Sequence, residues 1–312
     1  MPHAGITAHG VTYLPSPPGL AEEAAAIAMA TAAKAAVDDA ADLEPLDSQG
    51  LGSYRRQLAE IAPRLCDFAQ AVKIRLLCGA TVVEADHIGL EELPLGPKRQ
   101  VLFALANLIG EPTATDPYKR RVLWDVKPRP VPPGHFATFS EHDGEAQFHT
   151  DTQYYPNPER LFFLYAVQAA RCGGGTSYFA DATDVISGMT RTASGCRAFA
   201  TLSNIPVPFR IPSAFARGAE PEYTWAPIIA AVPLIRFRED TLLKCEECFP
   251  DVPWGEIKDA LSCLNEAAAY ASTARAQLPD DSIVFVNNHQ ALHARTEFRD
   301  QNRHLIRVRM HG

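Results

Sequence analysis

The amino-acid sequence predicts an α+β protein with a mainly β core, a sandwich or barrel dressed with helices. Three observations carry this. Helical character is concentrated in the first third of the chain. Short apolar, β-branched and aromatic runs separated by Gly and Pro fill the rest. A single long helical pattern returns late, near Trp254 to Ala276. Helices followed by runs of strands do not give the regular alternation that a doubly wound parallel sheet requires.

The elements follow in order. Residues 1–19 hold Pro15, Pro17, Pro18 and Gly19 and read as an irregular arm. Alanine dominates Leu20 to Ala41, which is strong helix propensity. A second helical stretch covers Ser53 to Leu77 with a break at Pro63, and a third covers Lys98 to Ile109. Arg121 to Val126 reads as a strand, and Pro128, Pro130, Pro132 and Pro133 forbid a helix after it. Arg160 to Val167 is an unbroken apolar run, suited to a strand buried on both faces. Thr176 to Phe179 is another strand, and Asp181 or Thr183 can cap a short helix toward Leu202. Strand-like pieces follow at Val207–Ile211, Tyr223–Ile229 and Leu234–Arg238, and again at Ser282–Val286 and Leu305–Met310. The division expected is a helical region over 1–119 packed on a core over 120–312, one structural domain overall.

Composition narrows the function classes. The 312 residues are 46% hydrophobic and 21% charged, which supplies a large core and excludes general disorder. Lys and Arg number 29 against 37 Asp and Glu, a net charge of −8, which argues against a nucleic-acid binder. The apolar stretch Ala24–Val37 is too short and too charged at its ends to span a membrane. Seven cysteines, an odd count, with no basic segment leading an apolar run, fit reduced thiols and a cytoplasmic location. Cys245 and Cys248 form a lone C-x-x-C without a second pair, read as two free thiols. There is no internal repeat, and Gly173-Gly174-Gly175 does not match a phosphate loop.

Four pieces carry chemistry. His149-Thr150-Asp151 places an imidazole and a carboxylate two residues apart, on one face if the segment is a strand. Two His and one carboxylate on one face leave positions open for catalysis on a non-haem iron. The second piece, Asn287 to Thr296, follows an apolar strand and holds His289 and His293. The third ends the chain with Arg303, Arg307 and Arg309, which share one parity; an inward guanidinium needs an anion, whereas an edge strand would simply be solvated. The fourth, Cys172-Gly-Gly-Gly-Thr176, leads into a strand.

Taken in order, F-H-T-D, G-G-x-T, N-x-x-x-x-H-x-R and R-x-L-x-R resemble the Fe(II)- and 2-oxoglutarate-dependent dioxygenases of the taurine dioxygenase superfamily. The resemblance is greatest to the clavaminate synthase-like branch and covers residues 120–312. It implies a double-stranded β-helix (jelly-roll) with flanking helices. It implies that His149, Asp151 and His293 bind iron, and that Thr176 contacts the distal carboxylate of 2-oxoglutarate. Arg307, 14 residues past His293, is expected to hold the same carboxylate. The cofactors implied are Fe(II), 2-oxoglutarate as cosubstrate, and O2.

The activity expected is hydroxylation of an unactivated C–H of a small polar metabolite, a free L-amino acid or a derivative in specialised metabolism, with release of succinate and CO2. Asp151, where several amino-acid hydroxylases of the branch carry Glu, loosens the substrate class; the acid also argues against halogenation. Candidate substrate contacts are Glu145, Gln147, Gln153, Arg236 and Asp240. Desaturation, epoxidation or cyclisation by the same cofactors is an alternative, as is a non-catalytic jelly-roll binding protein or a protein-directed oxygenase. The partner expected is a small molecule, with no nucleic acid and no membrane; a homo-oligomer stays open.

Overall fold

The computed structural model describes residues 11–15, 17, 19–35, 40–115, 118, 120–130, 138–212, 215, 222–272, 274–276 and 278–312. Its first elements are β1 (Val11–Tyr13), α1 (Leu20–Ala35), α2 (Ser48–Ile61), α3 (Pro63–Leu77), β2 (Val82–Ala85), α4 (Leu95–Ile109), β3 (Glu111–Pro112) and β4 (Trp124–Val126). Next come β5 (Ala146–His149), β6 (Leu161–Gln168), β7 (Ser177–Asp181), α5 (Ala182–Met189), α6 (Ala193–Asn204), β8 (Val207–Arg210) and β9 (Tyr223–Ala226). The chain finishes with α7 (Glu239–Leu242), α8 (Trp254–Ala271), β10 (Ala274–Ala276), β11 (Ile283–Asn287), β12 (Ala291–Arg295) and β13 (His304–His311). Most of the proline run after β4 and the start of the N-terminal arm lie outside the described residues.

The strands form a larger sheet in the order β1-β2-β11-β6-β13-β3, with β4 also on β13, a four-stranded sheet β10-β7-β12-β5, and the hairpin β8-β9. The apolar runs explain themselves here. Along β6, Leu161, Phe163 and Tyr165 pack into a core with the N-terminal helices, while Phe162 and Ala166 face the smaller sheet. In β11, Ile283 and Phe285 take the helical side and Val284 and Val286 the inner side. A strand covered on both faces has no polar face to show. The N-terminal region is thus more than helices, because β1, β2 and β3 from it complete the larger sheet.

β13 follows the same period with a different inner face. Ile306, Val308 and Met310 join the helical core. Leu305 faces inward, and with it Arg307 and Arg309 reach the space between the sheets. β13 pairs with β6 on one side and with β4 and β3 on the other, so it is not a solvated basic edge.

Several boundaries differ from expectation for local reasons. The short helix after β7 is two helices: Asp181 caps α5 and Thr192 caps α6. Pro63 opens α3, where its missing N–H costs nothing. The long late helix stops at Ala271, and Ala274–Ala276 pairs with β7 instead. Leu234–Arg238 forms no strand, only an isolated bridge between Ile229 and Ile235, since its backbone and side chains are used elsewhere.

Asp125 ties the layers together. Arg99 of α4 donates to both carboxylate oxygens at 2.9 and 2.8 Å, and His304 Nε2 lies 2.8 Å from Oδ1. Burial would raise this carboxyl, but His304 and Arg99 outweigh it and hold the group below the usual carboxylate range. A carboxylate with a depressed folded pKa contributes stability above its unfolded pKa and loses it as pH falls through the folded one. Asp125→Asn should therefore lower unfolding free energy at neutral pH by about 1–3 kcal/mol. Denaturant titrations of both proteins should show that gap narrowing below about pH 4.

Candidate active site

The site begins with one cross-strand pair. His293 of β12 stands opposite His149 of β5, and Arg295 stands opposite Ala146. Between these pairs one residue of β12, Ala294, stands against two of β5, Gln147 and Phe148, which is a β-bulge. The extra residue resets the side-chain alternation. Ala146 and His149 both face the inter-sheet cavity, while Glu145 and Gln147 line a separate cleft with Tyr178, Glu239 and Asn265. Neither lines the cavity that holds the histidines. The backbone of Gln147 contributes instead: its carbonyl lies 2.8 Å from His149 Nδ1 and leaves Nε2 free to face the site.

Asp151 arrives from the turn after β5. Its Oδ1 is 3.9 Å from His149 Nε2 and 3.9 Å from His293 Nε2. One donor atom from each of the three residues falls within 4.8 Å of the others. Burial first, and then the neighbouring His293, pushes His149 well below the usual imidazole range. Burial lowers His293 to about 4. Burial would raise Asp151, but Arg307 and the surrounding cations hold it below the usual carboxylate range. Two neutral imidazoles and an ionised carboxylate are the protonation states that a divalent metal requires of its ligands. The set is the two-His, one-carboxylate arrangement of non-haem iron sites, and the residues fit such an ion.

The turn carrying Asp151 is over-determined. Thr152 has φ of +56°, a conformation uncommon for a β-branched residue. The Asp151 N–H donates to Asn288 Oδ1 at 2.8 Å, and Asn288 Nδ2 donates to the carbonyls of Asp151 and Glu159 at 2.9 and 2.8 Å. Thr150 exchanges bonds with the backbone of Phe237. Arg236 donates Nη1 to the carbonyls of Gln153 and Tyr155 at 2.8 and 2.7 Å, and Nη2 to Pro156. Arg236 therefore braces the turn. Asp240 grips Arg238 through two bonds of 2.8 and 2.9 Å, and Arg238 lies over the Phe139 ring. Gln153 is buried beside Asp151 and lines a small cavity there.

The three arginines of the last segment sit at different depths. Arg307 Nη1 is 3.0 Å from Asp151 Oδ2, so it answers the carboxylate of the triad. Arg303 lies at the end of the cavity that holds His149 and His293, with Ser177, Leu305 and Arg295 in its walls. It is 4% exposed, and its Nη1 has no partner among the described residues. Phe298 is stacked between Arg303 and Arg295, each guanidinium 4.8 Å from the ring. Gly175 has φ of +76°, and a Cβ there would fall 3.1 Å from Arg303 Nε, so the glycine run is fitted to this arginine. Thr176 adjoins it, its N–H donating to Thr296 Oγ1 at 3.0 Å. Arg295 donates to the carbonyls of Phe139, His142 and Gly144, fastening the loop before β5.

Sequence reasoning missed the bulge, and it held Asn288 only as the first residue of N-x-x-x-x-H-x-R, without a role. A signal for that role was present: two adjacent Asn directly after a wholly apolar strand must bond something once buried.

Residues 88–309 match the model of the family described as taurine catabolism dioxygenase TauD, TfdA family. Among solved structures, the chain is similar to asparagine oxygenase in complex with Fe(II), 2S,3S-3-hydroxyasparagine and succinate. The TM-score is 0.69 and the identity 17%, over 96% of this chain and 93% of that one. It is also similar to the non-haem iron oxygenase OrfP in complex with Fe and alpha-ketoglutaric acid, with TM-score 0.62 and 17% identity, over 96% and 94%. OrfP in complex with Fe, succinate and (3S)-hydroxy-L-Arg gives 0.64 and 16%, over 96% and 93%. At such identities the likeness shows the shared fold. No curated protein is significantly similar.

Asn288→Ala removes both side-chain bonds to the Asp151 backbone and the one to the Glu159 carbonyl. It should weaken Fe(II) or Co(II) binding about 10–100-fold, the usual cost of losing a group that orients a ligand. Metal titration followed by calorimetry measures this, and far-UV circular dichroism should stay that of the wild type.

Proposed function

Because the chain belongs to the TauD, TfdA family, we propose that this non-haem iron dioxygenase hydroxylates an unactivated C–H of a small polar metabolite of the amino-acid class. One observation carries the reading. His149, Asp151 and His293 converge, and the two histidines line a cavity that also reaches the buried guanidinium of Arg303. His149, Asp151 and His293 would hold the iron. With 2-oxoglutarate and O2, that iron supplies the oxidising power, and succinate and CO2 leave.

The protein's share is binding, orientation and exclusion of water. We read the two sheets as a double-stranded β-helix, with the site between them. Phe139, Phe162, Leu164 and Phe179 wall the cavity and keep it dry. Arg303, beside Thr176, would hold the distal carboxylate of 2-oxoglutarate. This departs from the spacing after His293, which points to Arg307. Arg307 is already engaged by Asp151, whereas Arg303 is buried with its Nη1 unpartnered among the described residues. The amino-acid class is supported by the hydroxylated amino acids held in the complexes of two structural neighbours.

The test is anaerobic. Wild-type protein with Fe(II) and 2-oxoglutarate should show the weak visible charge-transfer band of the chelate, and His149→Ala should not. Arg303→Met should weaken 2-oxoglutarate at least about tenfold, the scale of a lost charge-assisted bond, with metal affinity kept. Should Arg307→Met do this and Arg303→Met not, the spacing rule is right and the cavity reading wrong.

A further inference from the structure

A cavity of about 480 Å³ shares none of its lining residues with the two cavities at the triad. Arg160, Arg236, Gln290 and His311 stand on its polar side, and no side chain in its wall is a carboxylate. Pro156, Val232, Pro233 and Leu234 make its apolar side. A concave space that joins apolar walls to a few convergent polar groups is the form of a small-molecule site.

The polar side offers cations and donors with no anion to answer them. Arg236 is 6% exposed, and its bonds go to the carbonyls of Gln153, Tyr155 and Pro156, which carry no charge. A guanidinium has five N–H donors, so three bonds leave two. Arg160 is half-buried, and its guanidinium has no partner among the described residues. Gly312 borders the cavity, and its carboxylate makes no ion pair with either arginine. Asn287 Nδ2 donates to Gln290 Oε1 at 2.9 Å, so the Gln290 amide keeps both of its N–H donors. His289 closes the wall as a neutral ring: burial lowers it below the usual imidazole range, and its Nε2 lies 3.0 Å from the Pro158 carbonyl.

A buried cation without a counter-charge is costly, and two of them on one cavity add their mutual repulsion. A dianion relieves both at once, and guanidinium groups match the oxygens of a phosphoryl group in charge and in spacing. A phosphoryl group fills only part of this volume. The apolar side is left for the organic part of the same ligand.

We propose that this cavity binds a phosphate monoester with an apolar body. Arg160, Arg236 and the Gln290 amide hold the phosphoryl oxygens, and the body lies along Val232, Pro233 and Leu234. The site is separate from the triad and takes a ligand other than the substrate and cosubstrate. Its anion chemistry could also come from free phosphate or from a carboxylate, and the experiment separates these sources.

The whole chain, kept metal-free with EDTA, is titrated by calorimetry with phenyl phosphate, inorganic phosphate, benzoate and phenol. Phenyl phosphate should bind at least about tenfold more tightly than each of the other three, which lack the apolar ring, the second charge or both charges. Arg160→Met should weaken phenyl phosphate at least about tenfold, with far-UV circular dichroism unchanged, while Arg303→Met stays within about twofold of wild type. The proposal is overturned if phenyl phosphate binds no better than phenol, a comparison that needs no variant. It is equally overturned if benzoate matches phenyl phosphate, which makes this a carboxylate site, or if inorganic phosphate does, which makes it a site for the free ion. Loss of binding in Arg303→Met and not in Arg160→Met would put the anion at the triad and overturn it as well.

Discussion

Guanidinium groups held between two sheets are the constraint around which this protein is built. Arg307 and Arg309 occupy inner-face positions of β13, and Arg303 stands just before that strand. A buried cation must find an anion, so the space around these residues cannot be filled by apolar side chains alone. Asp151 answers Arg307, Tyr154, Glu159 and Asp151 surround Arg309, and Arg303 is buried with its Nη1 unpartnered among the described residues. The opposite face of β13 makes this arrangement affordable. Ile306, Val308 and Met310 are sealed under α1, α3 and α4 in the largest apolar cluster of the protein.

The metal triad draws on the same scaffold from two distant segments. His149 and Asp151 come from the end of β5, and His293 from β12, and only strand pairing brings them together. Cross-strand register sets the two imidazoles side by side, with ring centroids 4.0 Å apart and planes tilted by 45°. Register alone does not place Asp151, which lies past the end of the strand. Asn288 does so by binding the Asp151 backbone from the loop between β11 and β12. Both halves of the site are therefore fixed to one loop, and the strained Thr152 is held by bonds on either side.

Much of this was legible in the residues. Pro63 divided two helices, and the apolar runs of β6 and β11 announced strands buried on both faces. The order of His149, Asp151, Thr176, His293 and the arginines carried the family. Other features were not legible. β12 is only five residues long and holds a His and an Arg, so no pattern marks it until β7 and β5 flank it. The bulge in β5 reversed which neighbours of His149 face inward, and no periodicity argument anticipates an inserted residue. Nor was it legible that Arg236 braces the turn through three backbone carbonyls.

The sequence by itself determined the kind of chemistry, because its ligand types are those a non-haem iron takes and their order along the chain resembles that of the family. It also determined which segments are helical or buried, because hydrophobic period is a local property. Only the tertiary structure decided where each of the three arginines of the last segment stands and that Arg307 is the one paired with Asp151. All three share one parity, so the alternation of a strand cannot tell them apart. What separates them is depth: one beside Asp151, one behind Gly175, one beneath Phe215. Depth is set by residues far away in the chain, through packing that no local pattern records.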